Sequence, residues 1–269
     1  MADRSTFSVS LNNPITNSTT GGSSKQVWVV LPTYNEADNL PQMLQALDDL
    51  GLGLQIVIVD DASPDGTGEI AERSAAKDPN VHAIRRKGER GLGTAYLAGF
   101  QYALAKGADA VITMDCDFSH DPRSIPEMVA AFDPGTQIVI GSRYVPGGRT
   151  ENWGIHRKIL SATANRFARA LFHMPARDCT SGFRLYRREV VESAIARESY
   201  AAGYAFLVEI LHAAMQQPDV KVKEVPICFV DRQRGSGKMG MREVIDGVKN
   251  LLRLHAEMRR SNRSKDDAD

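Results

Sequence analysis

The sequence has no long hydrophobic run: no apolar stretch approaches the roughly 18–20 residues that span a bilayer. The amino-terminal region also lacks the apolar block of a secretory leader. Both absences point to a cytoplasmic protein that would meet any lipid from its surface. Cysteine is scarce. Cys116, Cys179 and Cys228 are odd in number, widely spaced and without a Cys-x-x-Cys pair, which argues against a disulfide framework or zinc site and fits a reducing compartment. Neither sign of charge is in excess, with 33 Lys+Arg against 33 Asp+Glu, so bulk electrostatics does not direct the chain to nucleic acid. A dinucleotide fingerprint is missing too: Gly91-Leu92-Gly93 is followed by Tyr96 where the third glycine should fall, and it follows the third predicted strand. There is no Gly-x-x-x-x-Gly-Lys-Ser/Thr. Hydride transfer and P-loop chemistry are therefore disfavoured.

What is present is a regular alternation. Continuous apolar runs at 27–31, 55–59, 81–84 and 110–114 read as buried strands. Helical spacing appears between them, at 39–50, 68–77 and 94–106. That order predicts βαβ units, an α/β fold and a largely parallel sheet. Further on, 137–141 and 220–230 read as strands, and 156–172, 188–196, 206–216 and 243–258 as helices. Residues 1–25 are rich in Ser, Thr, Asn and Gly and are expected to form a disordered tail, with a frayed tail at 259–269 and one catalytic domain over 26–258. The last helix carries an apolar stripe and many cations. Docking on the core is the preferred reading, and contact with anionic lipid the alternative.

Ligands of parallel sheets bind beyond the carboxyl ends of the strands, and the polar clusters of this chain fall there. Asp115-Cys116-Asp117 ends the fourth strand. Residues i and i+2 of an extended chain point the same way, so both carboxylates leave on one side. A divalent metal carrying a diphosphate would relieve their repulsion, although Asp-x-Asp also occurs in solvated turns. Asp60-Asp61 precedes Ser-Pro-Asp-Gly, which is either a turn former or an acceptor for a base or ribose. Arg143, Arg157, Arg232 and Lys238 are each compatible with solvated surface charge, but together they could form an anion-binding wall.

With these residues laid out, the chain resembles the inverting glycosyltransferases of family 2, and within it the polyprenyl (dolichyl) phosphate mannosyltransferases. The resemblance rests on Pro-Thr-Tyr-Asn-Glu at 32–36, Asp-Asp-Ala-Ser-Pro-Asp-Gly-Thr at 60–67 and Gly-Leu-Gly-Thr-Ala-Tyr at 91–96. It continues through Met-Asp-Cys-Asp-Phe-Ser-His at 114–120, Gly-Ser-Arg-Tyr at 141–144, Thr-Ser-Gly-Phe-Arg-Leu-Tyr-Arg at 180–187 and Val-Pro-Ile-Cys-Phe-Val-Asp-Arg at 225–232. It implies a single GT-A type nucleotide-sugar-binding domain using GDP-mannose and Mg²⁺ or Mn²⁺. Pro32, Tyr34, Glu36, Val59 and Asp61 would then hold the nucleoside. Asp115, the backbone at Cys116, and Asp117 would hold metal, diphosphate and sugar. Arg143 would meet both substrates, Arg157 and Ser161 the acceptor phosphate, and Arg232 and Lys238 the donor diphosphate. Cys116 departs from the family's usual alanine. The membrane helices of some relatives are missing, which implies a peripheral protein at the cytosolic membrane face and leaves open a small anchoring partner.

The implied reaction asks more for charge neutralisation than for a base. A phosphomonoester is largely dianionic at neutral pH, its second pKa lying near about 6. It needs positioning against an anionic donor, with Asp117 and Arg143 expected to be central. Asp178 and Glu209 lie where the family keeps acidic groups, and an ion pair with an arginine is the expected role for either. The competing readings are another donor such as UDP-glucose on the same fold, and a non-catalytic binding partner of a membrane transferase.

Overall fold

The computed structural model describes residues 25–87, 91–196, 205–217, 219–231, 249–253 and 255–256. Arg232, Lys238, most of the expected helix at 243–258 and nearly all of both expected tails lie outside the described residues. The first half follows the sequence closely: β1 (Val27–Thr33), α1 (Leu40–Asp48), β2 (Gln55–Asp60), α2 (Thr67–Lys77), β3 (Val81–Arg85), α3 (Leu92–Ala105) and β4 (Ala110–Thr113). After it come α4 (Ile125–Ala131), β5 (Ile138–Ser142), β6 (Arg149–Glu151), α5 (Ile155–Phe172), β7 (Arg184–Arg187), α6 (Arg188–Ile195), α7 (Ala205–Met215), β8 (Val222–Pro226) and β9 (Cys228–Val230).

The main sheet has the order β3-β2-β1-β4-β7-β5-β8 and is parallel except for β7. Alternation along the strands explains why they are apolar throughout. Trp28, Val30, Val57, Val59 and Val111 enter one core, under α3, α5, α6 and α7. Val29, Leu31, Ile56, Ile58 and Ile112 enter the other, with Leu40, Met43, Leu47, Ala71 and Met128 from α1, α2 and α4. The result is a three-layer sandwich. Close approach of α3 to β1 requires Gly99, where a Cβ would stand 2.3 Å from a methyl of Val30.

Two expectations need correction. Residues 220–230 are not one strand: β8 joins β5 in the main sheet, while β9 pairs with β6 in a separate two-stranded sheet. Pro226 has no N–H to continue a ladder, and Ile227 divides its bonds, donating to Ser142 O and accepting from Arg149 N. The strand β7 was not anticipated either. Its four residues include two arginines and show no apolar run, yet it inserts antiparallel between β4 and β5. Arg184 lies fully buried there, donating to the carbonyls of Cys179 and Leu207. The described part of the last helix packs inward: Leu251 belongs to the core and His255 meets Phe172 edge-on. Among the described residues no helix is long and apolar enough to cross a membrane.

Candidate active site

Because β7 is antiparallel to both β4 and β5, those two strands run the same way as β1, β2 and β3. Their carboxyl ends therefore share one edge with the amino end of β7. Tyr34, Asp61, Asp115 and Arg143 follow β1, β2, β4 and β5, and so meet along this edge. The strand order turns back between β1 and β4, which is where parallel sheets open for ligands. Strain gathers there too. Asn35, Ala62 and Phe118 adopt left-handed backbone (φ 59°, 53° and 62°) in the loops after β1, β2 and β4. For Ala62 and Phe118 that conformation costs about 1 kcal/mol or more and has to be enforced by the surrounding bonds.

The first two loops are stitched to each other. Asp60 accepts from the N–H and hydroxyl of Ser63 and from Thr33, the turn-forming role open to it in the sequence. Ser63 in turn accepts from the N–H of Asn35, and Thr67 from the N–H of Glu36. Asp61 accepts from Arg86 Nε at 2.6 Å and from the N–H of Gly91 at 3.0 Å, tying the β2 loop to the start of α3. Glu36 is buried and accepts from Asn39, whereas Tyr34 is exposed. Val59 is wholly buried in the core, so its side chain does not reach the edge.

β4 ends at Thr113, so Asp115 and Asp117 stand in the bend just beyond it and not on the strand itself. The alternation expected of the pair survives: both are half-exposed and Cys116 between them is buried. The bend is held by Asp117, which accepts from the N–H of Ser119, and by His120, whose Nδ1 accepts from the N–H of Asp115 at 3.0 Å. His120 closes the Met-Asp-Cys-Asp-Phe-Ser-His motif, and only the fold shows what it does. It is buried, stacks on Phe183 and meets Phe229 edge-on. Burial drives its pKa down to about 4, outweighing the nearby Asp117, and the bond from Asp115 places the ring proton on Nε2. Among the described residues no group of three Asp, Glu, His or Cys converges on one point. A cation held by Asp115 and Asp117 would draw its remaining ligands from phosphate oxygens and water, which suits Mg²⁺ or Mn²⁺ beside a diphosphate.

Beside this bend lies a cationic and aromatic cluster. Arg143 is 7% exposed and Asp178 0%; Asp178 accepts from Arg143 Nε and Nη2 at 2.8 Å and from its backbone N–H at 3.0 Å. Thr180 accepts a further bond from Nη2. Burial opposes ionisation of Asp178, but the Arg143 guanidinium outweighs it and holds the carboxyl below its ordinary range. Arg143 also lies 5.3–5.9 Å from the ring centres of Tyr144, Phe229 and Trp153. Arg157 stacks on the same Trp153 at 4.2 Å and pairs with Asp231 at 2.7 Å. The Tyr144 hydroxyl is bonded to Ser161 at 2.9 Å. The structure thus brings Arg143, Arg157 and Ser161 into one cluster. Phe229 joins it to His120 behind Asp115, and no sequence signal marked that residue beyond the motif containing it. Glu209 is buried on α7.

The chain matches known proteins over most of its length. The model of glycosyl transferase family 2 matches residues 28–194. A polyprenol monophosphomannose synthase of Mycolicibacterium smegmatis is 41% identical over 217 residues, 80% of this chain and 82% of that protein. An undecaprenyl-phosphate mannosyltransferase of Micrococcus luteus is 38% identical over 228 residues, 85% of this chain and 93% of that protein. Among solved structures, the mannosyltransferase PcManGT of Pyrobaculum calidifontis, in complex with GDP-Man and Mn²⁺, superposes with a TM-score of 0.54 at 18% identity. That match covers 85% of this chain and 64% of the other, and supports the shared GT-A type fold.

Proposed function

The chain belongs to glycosyl transferase family 2, and from that premise we propose that it transfers mannose, with inversion, from GDP-mannose to a polyprenyl monophosphate at the cytosolic face of a membrane. The supporting observation is the gathering of Arg143, Arg157 and Ser161 around Tyr144 and Trp153, on the sheet edge that also carries Asp115 and Asp117. Two relatives named for mannosyl transfer to polyprenyl lipids, at 38–41% identity, point the same way.

In this reading Tyr34, Glu36 and Asp61 lie beside the nucleoside, with Pro32 and Val59 contributing backbone. Asp115 and Asp117 hold Mg²⁺ or Mn²⁺, which when bound supplies positive charge at the departing diphosphate. The acceptor phosphate is already anionic, so the protein's task is to hold it in line with the anomeric carbon and screen its charge. Arg143 is suited to positioning. Its Nε and Nη2 are committed to Asp178 and Thr180, leaving Nη1 as the guanidinium nitrogen to direct at an oxygen. Because Asp178 already balances its charge, it acts more as a fixed donor than as a net cation. Arg157 and Ser161 carry the acceptor, and Arg232 and Lys238 the donor diphosphate.

The test is incubation with a panel of labelled nucleotide sugars, a short polyprenyl phosphate and Mn²⁺, following label into the organic phase. Label is expected from GDP-mannose and not from UDP-glucose. Asp117→Ala should lose roughly a hundredfold or more of the rate while remaining folded. Product formation at the native rate by that variant would refute the metal assignment.

A further inference from the structure

The two most exposed large hydrophobic side chains among the described residues are Ile155, 77% exposed, and Ile159, 62% exposed. They stand one turn apart on α5, the helix that also carries Arg157 and Ser161. At 100° per residue, positions 155, 159 and 166 fall on the side opposite 157, 161 and 168, with 165 flanking the second set. The second set is anchored inward: Arg157 to Asp231, Ser161 to Tyr144, Asn165 to the carbonyl of Arg177, and Ala168 in the core. The orientation of the helix is therefore set by the fold, and the isoleucines face outward because of it.

The charge around them is one-sided. From 152 to 177 the chain carries Arg157, Lys158, Arg166, Arg169 and Arg177 and no Asp or Glu, within a protein whose formal net charge is zero. Lys158 and Arg166 are exposed beside the isoleucines. Apolar side chains flanked by cations on one face of a helix suit the headgroup region of an anionic bilayer. No helix among the described residues is long and apolar enough to cross a bilayer, so α5 would meet such a surface from outside.

We propose that the outward face of α5, through Ile155, Ile159, Lys158 and Arg166, docks on an anionic lipid surface and so brings the inward face of the same helix to the acceptor phosphate. The proposal rests on the reading of the acceptor as a lipid phosphate. Its surface test does not depend on turnover.

The full chain would be sedimented with vesicles of phosphatidylcholine, alone or with phosphatidylglycerol. Native protein should pellet with the phosphatidylglycerol vesicles and be released by salt. The double variant Ile155→Ser/Ile159→Ser and the double variant Lys158→Glu/Arg166→Glu should each bind roughly tenfold more weakly or less. Both should keep native melting temperatures and native transfer to a short, water-soluble polyprenyl phosphate, while losing transfer to a long-chain acceptor embedded in vesicles. Undiminished vesicle binding by both variants would overturn the assignment. So would native protein that ignores phosphatidylglycerol vesicles, or a native dimer that the isoleucine variant converts to monomer, which would make this face a contact between copies. If native protein binds vesicles but transfers nothing to the soluble acceptor, the catalytic reading fails and the surface assignment stands.

Discussion

Along the rim that follows β1 and β2, Asp60 and Asp61 are satisfied mainly by hydroxyls and backbone N–H groups of neighbouring loops, with one arginine at Asp61. Along the rim that follows β5, arginines are held by carboxylates far away in the chain and by aromatic faces. Within that second rim the two ion pairs differ again. Arg143–Asp178 is nearly sealed from water, whereas Arg157 and Asp231 are 24% and 30% exposed. A sealed pair is rigid and already neutral, which suits a fixed hydrogen-bond donor. A half-exposed pair is weak and can exchange its carboxylate for a phosphate, which suits a group that must take hold of an arriving anion.

The sharpest way to break this comparison is Asp178→Ala. It leaves the buried Arg143 charge without its partner, so a loss of about 3–5 kcal/mol is expected in urea unfolding, together with loss of transfer. A melt unchanged from native would show that the pair is not sealed. Next in size is acid sensitivity. His120 is held neutral with a pKa of about 4, while in the unfolded chain it protonates below about 6.5. Between those values the unfolded state binds the extra proton, so stability should fall as pH drops from about 6.5 to about 4, by on the order of 3 kcal/mol. His120→Phe should remove that part of the pH dependence while leaving the Asp115 N–H without an acceptor, at a cost of about 1–3 kcal/mol. On the first rim, Asp61→Asn should raise the KM for donor roughly tenfold with little change in the KM for acceptor, measured by initial rates. The smallest stability effect is expected for Arg157→Ala, under about 1 kcal/mol, yet it should raise the acceptor KM roughly tenfold and spare that for donor. Equal effects of Arg157→Ala and Asp178→Ala on stability would erase the distinction between the pairs.

The legible and illegible parts of the site divide along the same line. The first rim could be read because β1, β2 and β4 are continuous apolar runs ended by turn residues, so their carboxyl ends are marked in the chain. The pairing of Asp178 with an arginine was anticipated, but its partner and its burial were not, since 35 residues separate it from Arg143. Seventy-four separate Arg157 from Asp231. His120 and Phe229 were visible only as letters in motifs, because the contact between their rings exists only after the loop past β4 lies against β9.

From its own order of residues, this chain determined a parallel α/β half with Asp61, Asp115 and Asp117 at strand ends. Local periodicity and turn chemistry act over a few residues and need nothing distant to operate. Tertiary structure alone decided the insertion of β7, the division of β8 from β9, the choice of Asp178 for Arg143 and the outward aim of Ile155 and Ile159. Each depends on which groups lose water together, and that is settled only when every layer of the sandwich is in place.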